Sequence, residues 1–143
     1  MVSFLLDTNV VSEWVKPRPE AGVVAWLADV DEDRVFISVV TLGELRHGIE
    51  GLPPGRRRSR LDDWLRHDLP LRFEGRVLPI DIAVADAWGT LVARRDRAGR
   101  PIGSMDGLIA ATAEVHALTL VTRNAPDFRS SVKAVFNPWT EKM

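Results

Sequence analysis

Five short apolar runs, separated by stretches with helical spacing, constrain the fold of this chain more than any other feature. Ser3–Leu6, Val35–Val39, Val77–Ile80, Leu118–Val121 and Lys133–Phe136 are rich in Val, Ile, Leu and Phe and read as strands. Between them, Pro19–Ala28, Leu42–Glu50, Ser59–His67, Ile82–Arg95 and Met105–His116 collect apolar residues on one face. The set Val84, Trp88, Leu91 and Val92 is an example. Strands alternating with helices predict a three-layer α/β fold: a central, mostly parallel sheet of about five strands flanked by helices on both sides. Turn residues at Leu52–Gly55, Ala98–Pro101 and Asn124–Pro126 punctuate the elements. No internal repeat or linker divides the chain, so residues 1–143 read as a single domain.

Composition narrows the chemistry. A net charge of −1 argues against a generally basic protein that coats nucleic acid. Arginines nevertheless cluster at Arg56, Arg57, Arg58 and Arg60, and again at Arg94, Arg95, Arg97 and Arg100; each cluster is either a solvated face or a phosphate-attracting patch. There is no cysteine, which excludes disulfides and thiolate metal sites and fits a reducing, cytoplasmic setting. No apolar run approaches the length of a membrane span, so no membrane association is expected.

Open α/β sheets bind ligands beyond the carboxyl ends of their strands, so the residues that follow each strand matter most. Asp7, Thr8 and Asn9 follow the first run, and Thr41 and Glu44 the second; Thr122, Arg123, Asn124 and Asp127 follow the fourth. Asp106 opens the preceding helix after Gly103 and Ser104. Each has a structural explanation. Asp7 can cap a helix, Thr41 and Glu44 can form a capping box, and Ser104 can cap a helix whose first turn holds Asp106. Asn124 can form an Asx turn. Brought together, however, two carboxylates about 5 Å apart repel by roughly 3 kcal/mol at an effective dielectric near 20. A hard divalent cation relieves this and prefers carboxylate oxygen. His47, His67 and His116 are scattered without ligand spacing and are read as surface residues. Such a site suits phosphodiester hydrolysis.

The segments LLDTNVVSE, TLGELRHGI, PIGSMDGLIAATA and LTLVTRNAPDF, in this order and spacing, together with the closing FNPW, resemble the PIN-domain ribonucleases. They are most similar to the VapC and FitB toxins of type II toxin–antitoxin pairs. The resemblance spans residues 3 to 139 and implies a PIN-like (Rossmann-like) fold. It implies that Asp7, Glu44, Asp106 and Asp127 are the acidic metal-binding and catalytic positions. Thr8, Asn9, Ser104, Thr122 and Asn124 become accessory polar residues. It further implies a Mg²⁺-dependent endoribonuclease, with Mn²⁺ able to replace Mg²⁺, acting on tRNA, rRNA or mRNA. A homodimer neutralised by a cognate small, VapB-like antitoxin is implied as well. Arg46 is a candidate RNA or antitoxin contact, or the partner of an acidic neighbour. Trp14 and Trp26, with Val23, Val24 and Leu27, form either a partner-binding face or part of the core.

Two other readings fit the same residues. A PIN-like module could bind RNA or protein without cleaving. An α/β phosphatase could use Asp7 as nucleophile, although the second aspartate of that pattern is Asn9 here.

Overall fold

The computed structural model describes residues 1–143. Phe4–Leu6 forms the central strand β1, whose side chains divide between the two faces of the sheet. Phe4 and Leu6 enter one apolar cluster and Leu5 the other, the alternation that a strand buried on both sides requires. Helices α1 (Thr8–Glu13) and α2 (Ala21–Asp29) then lead into β2 (Val35–Ser38) through a 3₁₀ turn at Glu32–Arg34. Helices α3 (Val39–Glu50), α4 (Arg56–Asp63) and α5 (Leu69–Arg72) lead on to β3 (Val77–Leu78). The long α6 (Ile82–Arg97) packs along α7 (Ser104–Val115), which is followed by β4 (Thr119–Val121), α8 (Ala125–Phe128) and β5 (Val135–Phe136).

The sheet is parallel throughout and ordered β3-β2-β1-β4-β5. The chain therefore builds outward from β1 in one direction and then returns to add β4 on its other side. Leu5 pairs with Phe36 of β2 and with Leu120 of β4. Val10, Val23, Leu27, Ile37, Leu45, Leu69 and Phe73 fill the cluster on one face; Leu91, Ile109, Ala110, Leu120 and Phe128 fill the other. No helix is long and apolar enough to cross a membrane.

The architecture agrees with the sequence reading, and several boundaries move. The edge strands are shorter than expected: Pro79 has no N–H to extend β3, and the Lys133 N–H goes to Glu114 Oε1 at 2.7 Å instead of to the sheet. The second strand ends at Ser38, whose hydroxyl accepts from the Val40 N–H at 3.0 Å and caps α3. The capping box at Thr41 and Glu44 is thereby overturned, because both residues lie inside the helix. Likewise Gly103 caps α7, and Ser104 is its first residue. The helix expected at Ser59–His67 begins at Arg56 and continues through a π-helical stretch, Trp64–Asp68, into α5. Pro70 offers no N–H to the carbonyl one turn back, and the Leu69 N–H bonds to the Trp64 carbonyl.

Candidate active site

The strand order places the switch between the two directions of sheet growth at the carboxyl ends of β1 and β4, where a crevice is expected. Asp7 leaves β1 at that point. Its N–H donates to the Val121 carbonyl at 2.9 Å, so the sheet itself fixes its position. One carboxylate oxygen accepts from the Thr8 N–H at 2.8 Å, capping α1. The other accepts from the Thr122 hydroxyl at 2.7 Å and from Asn9 Nδ2 at 3.3 Å. Thr122 Oγ1 accepts in turn from the Asn124 N–H at 3.0 Å. Capping and site are thus the same arrangement.

Glu44 reaches the site from α3. Its Oε1 accepts from the Thr8 hydroxyl at 2.6 Å, and the buried Thr41 hydroxyl lies 3.1 Å from that of Thr8. Thr41 belongs to this connection and not to a cap; its signal in the sequence is its position three residues before Glu44, on the same helical face. Asp106 comes from the first turn of α7 and is partly buried, whereas Asp127 stands exposed on α8. Ser104 and Asn124 are exposed.

Electrostatics bind the four acids into one group. Asp7 is only 4% exposed. Burial pushes its carboxyl up to about 6; the Thr122 hydroxyl and Thr8 N–H oppose this, and the charges of Asp106 and Glu44 add to it. Asp106 is also raised, first by burial and then by repulsion from Glu44 and Asp127. Asp7, Glu44 and Asp106 therefore lie within electrostatic reach of one another, and Asp127 within reach of Asp106. No three acidic or histidine side chains in the protein converge into a tight ligand cage. The donors are all oxygen and carry more negative charge than they can comfortably hold together, which fits a hard divalent cation.

Two other nominated residues are engaged elsewhere. Arg46 pairs with Asp62 of α4 at 2.6 Å and with Glu50 at 3.4 Å. Trp14 packs on the core, with the Arg72 guanidinium 4.0 Å from its ring centroid and Phe73 at 5.9 Å. Trp26 meets Phe4 and Phe136, while Val23 and Leu27 are buried; only Val24 of that group is left exposed. Asp81 caps α6: its Oδ1 accepts from the Val84 N–H at 3.0 Å.

A PIN domain model matches residues 4–130. The chain is 41% identical over 135 residues to toxin FitB of Neisseria gonorrhoeae, covering 94% of this chain and 97% of that protein. It is 36% identical over 135 residues to VapC ribonuclease Y4jK of Sinorhizobium fredii, covering 94% and 96%. Among solved structures, FitAB bound to an IR36 DNA fragment contains a chain that superposes with a TM-score of 0.91 at 38% identity, covering 98% of each.

Proposed function

The chain belongs to the PIN-domain family, and on that premise we propose that it is an endoribonuclease, the VapC-like toxin of a toxin–antitoxin pair. The observation that supports the reading is the mutual charge repulsion that links Asp7, Glu44 and Asp106, and Asp106 in turn with Asp127, beside the switch point of the sheet. Asp7 and Asp106, with Glu44 and Asp127 beside them, are the residues that would hold a divalent ion, Mg²⁺ by preference with Mn²⁺ able to replace it. When bound, the ion lowers the pKa of a water and offsets charge on a phosphoryl oxygen. The chain's own part is to keep these acids aimed and spaced. Thr122, Asn9 and the Thr8 N–H fix both oxygens of Asp7, and the Thr8 hydroxyl ties Glu44 to the same turn.

The toxin role brings a small antitoxin as partner, consistent with the FitAB assembly that the fold superposes on. A homodimer and a cytoplasmic location belong to the same proposal. The phosphatase alternative loses its second aspartate to Asn9, whose amide donates to Asp7 Oδ2.

The test compares the wild type with Asp7→Asn on total cellular RNA, mapping new 5′ ends with and without Mg²⁺. Cuts that require both the metal and the carboxylate are expected. RNA binding without cleavage in Mg²⁺ or Mn²⁺ would leave a binding module, and phosphate release from small phosphomonoesters would favour the phosphatase.

A further inference from the structure

We infer that Arg123, held in place by the closing Phe136-Asn137-Pro138-Trp139 stretch, grips a backbone phosphate of the RNA strand next to the bond that is cut; this rests on the nuclease reading above. The site itself is acidic, so a polyanion needs a cation alongside it to settle there. Half of the sixteen arginines are already committed, Arg34 to Asp31 and Arg76 to backbone carbonyls among them. Asp62 and Glu50 take Arg46, Arg58 and Arg66; Glu32 takes Arg72, and Glu141 takes Arg129. Arg95 is spent on Ser131 and on the carbonyls of Arg100 and Asp127. Arg56, Arg57 and Arg60 make no ion pair but lie on α4, which contributes nothing to the acidic group.

Arg123 differs on both counts. It directly follows Thr122, and its N–H donates to Asn9 Oδ1 at 3.1 Å, which ties its backbone to the turn that carries Asp7. Its carbonyl accepts from Asn137 Nδ2 at 3.2 Å, and Asn137 Oδ1 accepts from the Trp139 N–H at 2.9 Å. That bracket puts Trp139 under the guanidinium, with its ring centroid 5.5 Å away. Trp139 is itself packed on the core, so the platform is firm. Glu13 feels the Arg123 charge but already accepts from Lys16 Nζ at 2.6 Å and from the Glu20 N–H at 2.9 Å. The guanidinium makes no ion pair, is exposed, and keeps its fork of donors for an incoming anion. A planar, weakly hydrated guanidinium resting on an aromatic face suits phosphate better than a lysine would.

The experiment measures binding of a fluorescein-labelled single-stranded RNA of mixed sequence to the Asp7→Asn protein, with and without Arg123→Ala, across a salt series. Loss of one phosphate contact is expected to weaken binding about tenfold and to make the plot of log affinity against log salt shallower by about 0.7. Arg123→Lys should restore the slope but not the full affinity. In protein that keeps Asp7, Arg123→Ala should raise KM and leave kcat nearly unchanged. Unchanged affinity and slope in a folded Arg123→Ala protein would overturn the proposal and leave the nuclease reading standing. A wild type that neither binds nor cuts RNA would overturn both. If Arg123→Ala fails to fold, Arg123→Gln keeps the stem over Trp139 and is read in the same way.

Discussion

Asp7 gives its two carboxylate oxygens to different tasks. One closes the first turn of α1 and the other is held by Thr122 and Asn9. Burial still dominates and raises its pKa from 3.8 to about 6. The folded state then holds the proton more tightly than the unfolded chain. Stability from this group is complete below about pH 4 and is lost as the pH rises toward 6. Glu13, Asp62 and Glu141 are shifted down by their hydrogen bonds and cations and act in the opposite sense. Comparing metal-free wild type with Asp7→Asn isolates the one group. The variant should gain on the wild type between pH 4 and 6, by up to about 3 kcal/mol at neutral pH. Urea unfolding midpoints across that range check it, and a constant difference would contradict the burial argument. The residue types at Asp7, Glu44, Asp106 and Asp127 were legible in the sequence, as was their position at the ends of elements. Side-chain direction was not: Arg46 turns to Asp62 and Trp14 to Arg72 through contacts that form only when α4 and α5 dock.

At the scale of elements, the sequence showed where helices and strands alternate more clearly than where each begins. Ser38 and Thr41 are both good cap residues, and only the docking of β2 on β1 and β3 decides for Ser38. The packing of α6 on α7 was legible as two apolar faces, but its closeness was not. Trp88 lies against Gly107, the residue after Asp106. A methyl group at Gly107 would stand 3.0 Å from Trp88 Nε1 and 3.1 Å from its Cδ1. That indole N–H is buried without a partner. Gly107→Ala should cost about 1–3 kcal/mol and, by shifting the first turn of α7, lower nuclease activity as well. Trp88→Phe makes room, so the double variant should recover part of both losses. Strictly additive unfolding energies across this cycle would show that the two residues do not press on each other.

At the scale of the molecule, the metal reading makes a claim on stability that does not depend on any RNA. A cation that binds only the folded form stabilises it by mass action, about 2.7 kcal/mol at a hundredfold excess over its Kd. Thermal melts of chelator-treated protein should shift upward with added Mg²⁺ or Mn²⁺, and the shift should vanish in Asp7→Asn. An equal shift in both proteins would place the ion elsewhere. The parallel sheet and its layers were legible from the alternation of elements alone, whereas the strand order that makes the site is a property of the assembled whole. The Thr122 hydroxyl that grips Asp7 stands 115 positions further along the chain, and β1 finds β4 only across a separation that holds two other strands. On the ribosome, a half-made chain thus carries the first aspartate without the residues that aim it. The acidic group can assemble only after synthesis has passed Thr122 and reached Asp127.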